Sequence, residues 1–144
     1  MIQFHGELEL NDTKKILKDH GLNDNGFVQK FIDNEVLKRC AKYLPFRTGA
    51  LMNMGILGTV IGSGEVAWIG VKPRYLYYGK VMVGPAPKTV TDKDLTFYGG
   101  PQRGAFWFER MKATEGKEIV KGAQQLADGG NINVWRKKIN YKSY

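Results

Sequence analysis

The chain has 144 residues, 42% of them hydrophobic, one cysteine and a net charge of +8 at pH 7. One domain, 1–144, is expected at this length, with a core that needs neither a disulfide nor a metal, because such a chain buries roughly 68–70% of the surface it exposes when unfolded. The lone Cys40 excludes an internal disulfide and suits a reducing compartment; no apolar run reaches the ~18 residues of a membrane helix, and MIQFHGELEL offers early charges instead of the apolar centre of a secretion signal.

Residues 2–10 alternate, with Ile2, Phe4, Leu8 and Leu10 opposite Gln3, His5, Glu7 and Glu9. A period of two predicts a half-buried strand. Asn11 and Asp12 then offer capping oxygens, and TKKILKDH reads as a short helix stopped at Gly21. Residues 23–44 carry the clearest helical pattern: Phe27, Val28, Phe31, Ile32, Val36, Leu37, Cys40, Ala41 and Leu44 share a face. Lys30, Asp33, Asn34, Glu35, Lys38, Arg39 and Lys42 fill the remainder. The Asn23-Asp24-Asn25 triplet is expected to cap this helix, and Pro45 to end it by pushing Leu44 out of the α region. Cys40 falls on the apolar stripe and reads as a packed thiol, not a nucleophile.

ILGTVIGSGEVAWIGV, residues 56–71, consists of two β-rich runs around Gly62-Ser63-Gly64, which predicts a hairpin. RYLYYGKVM follows, as one helical turn or a strand. Residues 84–104 include Pro85, Pro87 and Pro101 and read as a long irregular excursion, with TVTDKDLTFY forming a strand inside it; loops of that length are usually functional or mobile. Residues 105–127 predict a second long helix, with Phe108, Met111, Glu115, Ile119, Ala123 and Leu126 on one face. Gly116 and Gly122 each cost it about 1 kcal/mol relative to alanine, so packing must hold it. Gly129-Gly130 closes it, and residues 131–144 form a basic tail with Arg136, Lys137, Lys138 and Lys142 and no acid. No βαβ alternation is present. The expected architecture is α+β: an antiparallel sheet with two long helices on one face and a long loop between the hairpin and the C-terminal helix.

Signals for chemistry are sparse. His5, His20 and Cys40 have no metal-ligand spacing, and Asp92 with Asp94 reads as turn chemistry. Gly62-Ser63-Gly64 and GGPQRG do not match a phosphate-binding loop, although the second opens a helix whose N-terminus physically permits an anion. No catalytic residue, cofactor or metal is expected. The positive charge makes nucleic acid or an acidic protein surface a possible partner. A helix-turn-helix across Pro45-Phe46-Arg47 is disfavoured, because residues 48–54 carry methionines instead of base-reading side chains.

LPFRTGAL after a long amphipathic helix, then PRYLYYGKVM, then TDKDLTFYGGPQRGAFWFERMKA, resembles the minor capsid proteins of long-tailed bacteriophages, specifically the second of three small ones encoded in a row in phages of Gram-positive bacteria. The broader resemblance is to the tail-completion, or head–tail joining, family. Its R-x-T-G-x-L turn is matched here by Arg47, Thr48, Gly49 and Leu51, and its Y-x-x-Y-G segment by Tyr75, Tyr78 and Gly79. The resemblance covers roughly residues 25–115, and 97–111 is its most specific part.

It implies a structural, non-enzymatic virion protein of the siphovirus neck, made in the host bacterial cytoplasm, that forms a ring around the DNA channel. The implied partners are further copies of the chain, most simply six, a stopper or adaptor on the head side and a tail terminator on the tail side. Double-stranded DNA would pass through without sequence-specific contact, and no membrane is involved. Under this resemblance Arg47, Thr48, Gly49, Tyr75, Tyr78, Phe97, Tyr98, Arg103 and Trp107 are subunit-interface candidates, and Arg136, Lys137, Lys138 and Lys142 a polyanion contact. The alternative reading is a nucleic-acid-binding domain that uses the basic surface and the aromatics. Residues 43–55 read as a helix-to-sheet hinge in which Thr48 caps a short helix over residues 49–54.

Overall fold

The computed structural model describes residues 12–129. The strand expected over 2–10 and the basic tail over 131–144 lie outside the described residues. Within them the order is α1 (Thr13–Asp19), α2 (Phe27–Cys40), α3 (Ala50–Gly58), α4 (Val71–Tyr78), β1 (Lys80–Val83), β2 (Thr89–Asp94) and α5 (Trp107–Gly129). The class is α+β, with a two-stranded antiparallel sheet and five helices.

α1 stops where expected, before Gly21. α2 starts later than its pattern suggests. Its N-cap is Gly26, with no side-chain capping bond, so Asn23-Asp24-Asn25 do not cap it. Asn25 instead takes a left-handed conformation (φ 57°) and the Asn23 carbonyl accepts the Gly26 N–H, which inserts a turn before the helix begins. At the other end the last regular residue is Cys40. The chain then loosens into turns that hang from the Cys40 carbonyl, which accepts the N–H groups of Tyr43 and Leu44, before Pro45 breaks the pattern.

The hairpin expected over 56–71 is not there. Residues 56–58 complete α3, residue 71 opens α4, and residues 59–70 form an irregular loop. The reason lies at both ends of the run. Gly55 lets the Trp68 indole lie against α3, since an added Cβ would come 2.6 Å from Trp68 Nε1. The helix therefore continues through the apolar residues that follow. The two arms of the loop are joined by a side chain in place of a backbone ladder: Thr59 Oγ1 accepts the Ala67 N–H at 3.1 Å and donates to the Ala67 carbonyl at 3.4 Å.

RYLYYGKVM is divided between both of its readings, with α4 up to Tyr78 and β1 from Lys80. The strand expected inside 84–104 is β2. It pairs with β1 in the register Lys80↔Asp94, Met82↔Val90, Val83↔Thr89, with an irregularity between Lys80 and Met82. The excursion is therefore in part a hairpin arm. Its remainder is stitched down: Leu95 N–H donates to Gly79, Phe46 to Tyr98, Gly104 to Tyr43 and Phe106 to Tyr77.

α2 and α5 pack on one another. Their shared core holds Cys40, Leu44, Leu51, Trp107, Met111 and Ile119, with Trp68, Leu76, Tyr77 and Phe108 packed around it. Trp107 is 1% exposed and meets Tyr77 and Trp68 edge to face, at centroid distances of 4.7 and 5.7 Å. No strand residue belongs to this core, which is helical. Phe108 is half-buried and packs against this core, on the face its helical spacing indicates.

Candidate functional site

The hinge after α2 is built from unpaired carbonyls. A helix end leaves C=O groups without intrahelical partners, and cations are favoured there. Two arginines from distant sequence supply the donors. Arg103 Nη1 donates to the carbonyls of Ala41 (2.7 Å) and Leu44 (2.9 Å), with its guanidinium 5.3 Å from the Phe46 ring. Arg110 donates to Ala105 (2.9 Å), Gln102 (2.6 Å) and Tyr43 (3.0 Å). The planar five-donor fork suits several carbonyls at once, which an ammonium could not serve in this geometry. Arg103, an interface candidate on sequence, thus acts inside the chain, and Arg110 completes the same clamp.

The clamp fixes the turn that precedes α3. Gly49 is its N-cap at φ 79°, a left-handed conformation that strains any side chain. No side-chain bond caps the helix in the usual sense. The Thr48 hydroxyl instead accepts the Ala50 N–H, at a long 3.4 Å. Thr48 is therefore a weak local brace, and α3 runs four residues beyond the expected end.

Five of the nine interface candidates meet here. Arg47, Thr48 and Gly49 line an open groove of about 180 Å³ together with Phe97 and Tyr98. Leu51, Met54 and Leu76 add apolar lining, and Lys72 a cation. The Arg47 guanidinium lies 5.6 Å from the Tyr98 ring centroid, a cation–π contact, and Tyr98 is 64% exposed. Neither Arg47 nor Lys72 forms an ion pair with a described residue. The groove thus combines apolar lining with an exposed aromatic ring and two cations that form no ion pair with a described residue. Those are the ingredients of a protein-recognition surface for an apolar segment that carries an acid.

The other candidates lie elsewhere. Tyr75 is half-buried on α4. Tyr78 is exposed and stacks edge to face on Tyr77 and Phe106. Trp107 is a core residue, so its ring is unavailable to a neighbour, which corrects the sequence expectation for that position. Arg136, Lys137, Lys138 and Lys142 lie outside the described residues.

Two structural residues escaped the sequence reading. Asp33, placed on the polar face, is buried. Its Oδ2 accepts the N–H groups of Gly62 (2.8 Å) and Gly64 (3.1 Å), and its Oδ1 accepts Gln29 Nε2 (2.7 Å). Asp33 stands four residues before Leu37 on the apolar stripe, and a Gly-Ser-Gly turn presents bare N–H groups; together these are the signal that could have found it. Glu115, placed on the apolar face, joins α5 to α2 by accepting from Arg39 (3.1 Å) and Lys42 (3.0 Å). Burial works against its charge, but Lys42, the Tyr43 hydroxyl and Arg39 outweigh that and hold the carboxyl below its usual range. Burial, with Glu115 nearby, pushes the Cys40 thiol up to about 12. That leaves it protonated and inert at neutral pH.

Among the described residues no cluster of three or more His, Cys, Asp or Glu side chains is placed to hold a metal ion. No helix among them is long and apolar enough to cross a membrane. The chain matches no family model, no curated protein and no solved structure.

Proposed function

We propose that this chain is a structural subunit of a bacteriophage head–tail connector, forming a ring, most simply of six copies, through which the DNA passes between capsid and tail. The observation that carries the reading is the groove. Two segments of the resemblance, Arg47-Thr48-Gly49 of its R-x-T-G-x-L turn and Phe97-Tyr98 of its most specific part, are far apart in sequence and line one open groove. Arg103 and Arg110 are held within the chain by backbone carbonyls. Arg47 is instead exposed and makes no hydrogen bond with a described residue.

In this reading the subunit meets its own copies laterally, a stopper or adaptor on the head side and a tail terminator on the tail side, and is located in the virion neck after synthesis in the host bacterium. The protein performs no chemistry on the DNA. A channel must let the duplex slide, and each phosphate contact would add salt-dependent retention, so the basic residues face protein partners or the outside. Electron microscopy of a phage lysate made without the chain is the test. Filled heads and finished tails lying apart are expected. Complete virions, or empty heads from failed packaging, would remove the assignment.

One observation favours a second reading as a nucleic-acid-binding domain. Lys112, Lys117 and Lys121 project with Gln124 and Gln125 from the exposed side of α5. Retarded migration of a DNA duplex in a gel at physiological salt would favour that reading over the connector; free migration would discard it.

A further inference from the structure

The β1–β2 hairpin is a two-stranded sheet that takes no part in the helical core, and such a sheet is marginal by itself. Among the described residues its β1 edge is open. The Gly79 carbonyl accepts the Leu95 N–H and the Val81 carbonyl accepts the Thr91 hydroxyl, so both face β2. Successive residues of a strand turn their main-chain groups to opposite sides, which sends the N–H and C=O of Lys80 and Met82 to the outer edge of β1. No main-chain group of a described residue bonds to them there. Edge strands are usually blunted by charge. β2 is, by Asp92, Lys93 and Asp94; β1 carries only Lys80, already paired with Asp94, beside Val81, Met82 and Val83.

We infer that residues 2–10 of a second copy of the chain add to the β1 edge as a third strand. The period of two over Ile2, Phe4, Leu8 and Leu10 is that of a half-buried strand, and a half-buried strand needs main-chain partners. β1 and β2 are the only strands among the described residues. Pairing with β2 would set Asp92 and Asp94 beside Glu7 and Glu9 of the segment, whereas β1 holds no acid. A main-chain ladder recognises an extended segment chiefly through its backbone, so it needs no preformed cavity.

Reach assigns the strand to another copy. His20 Nδ1 lies 2.6 Å from the Ala127 carbonyl, which fixes the end of α1 beside the last turn of α5. β1 starts at the opposite end of that helix: an added Cβ on Gly79 would come 2.7 Å from the Ala105 Cβ, just before α5 begins. The hairpin does not pack along α5. About 30 Å of helix separates the two ends, and α1 covers about 10 Å of that at most. Crossing the remaining ~20 Å within one chain would consume about six residues of the segment at ~3.3 Å each. A neighbouring copy can receive its whole length. An arm given to one copy while an edge is offered to the next is a head-to-tail contact, which repeats until it closes a ring or runs on as a filament. Closure into a ring rests on the connector reading; the strand exchange is a property of the isolated chain.

The test is sedimentation velocity of the full chain from micromolar to near-millimolar concentration. Wild type is expected to self-associate. Met82→Pro removes an outward N–H and sets a ring against an incoming strand while leaving the bonds to β2, and Leu8→Pro interrupts the arm. Each is expected to weaken association by about tenfold or more. Mixed, the two variants have one intact arm and one intact edge between them, so they are expected to form a one-to-one pair and nothing larger. Should Met82→Pro unfold the chain, hydrogen exchange tests the same contact. The Lys80 and Met82 amides of wild type are expected to exchange more slowly as concentration rises, and those of Leu8→Pro, whose hairpin is untouched, are not. A monomeric wild type, variants that associate like wild type, a mixture no better than its components, or wild-type amide exchange that ignores concentration overturns the strand exchange. A monomeric wild type leaves the connector reading standing, because the lysate microscopy tests that independently.

Discussion

A carboxylate at 2% exposure must find donors for its oxygens, and Asp33 finds three, two of them backbone N–H groups of a loop more than twenty-five positions away. It does for residues 59–70 what a strand ladder would otherwise do. Asp33→Ala leaves the buried Gly62 N–H without a partner, a loss of roughly 1–3 kcal/mol. Urea unfolding should show that loss, with Asp33→Asn falling between the two because it keeps an acceptor. Limited proteolysis should at the same time find a new cut within 59–70. An alanine variant as stable as wild type would mean that the loop is held by its apolar arms alone. Cys40 gives a second test at this scale. With its thiol raised to about 12 by burial, and by Glu115 in addition, native protein should resist a thiolate-directed alkylating agent at neutral pH. Labelling should rise with denaturant along the unfolding curve; prompt labelling of the native chain would contradict the packed position.

At the scale of elements, α2 and α5 are joined by an ion network as well as by their apolar faces. Glu115 is held below its usual carboxylate range, with Lys42, Tyr43 and Arg39 overcoming the opposing effect of burial. A depressed carboxyl takes up its proton at lower pH when folded than when unfolded, so between those two values the unfolded chain binds more protons. The network's contribution is therefore complete above the ordinary carboxylate range and is lost as the pH falls through the lower folded value. Melting curves across mildly to strongly acidic pH should show wild type losing more stability than Glu115→Gln. Parallel profiles would remove Glu115 as a source of the acid sensitivity. The network also shows what the sequence could disclose. α2 and α5 were legible because a 3.6-residue apolar period has few other interpretations over two or more turns, and α1 from the capping oxygens before it and Gly21 after it. The β2 strand was legible from TVTDKDLTFY, of which it takes the first six residues. The loop over 59–70 was not, because a glycine-punctuated β-rich run looks the same whether backbone or side chains satisfy it. Here Thr59 and Asp33 took the ladder's place, and Gly55 let α3 extend into the first arm. The groove was half legible: Arg47, Thr48, Gly49, Phe97 and Tyr98 were singled out together, but Lys72 was not, and Arg103 was assigned to the outside. Only the folded chain brings Arg103 to the carbonyls left open by the end of α2.

For the whole molecule the two arginines of the hinge separate folding from assembly. Arg103 holds two carbonyls at 2.7 and 2.9 Å, and a hydrogen bond from a charged donor contributes about 1.5–3 kcal/mol net of its exchange with water. Arg103→Ala should lower the melting temperature of the isolated chain by several degrees. Arg47 has only the exposed contact over Tyr98, worth about 0.5–1 kcal/mol, and its removal leaves no buried group unsatisfied. Arg47→Ala should therefore melt within a degree or two of wild type. If the groove is a contact between copies, the order reverses for assembly. Arg47→Ala should abolish joined virions when supplied in place of the wild-type chain. Arg103→Ala should support joining at any temperature at which it remains folded. Thermal melts of the two purified variants, set beside electron microscopy of the lysates that they complement, separate the roles. A drop of several degrees for Arg47→Ala would make it a structural residue of its own chain, and normal virions from it would show that the groove does not join subunits.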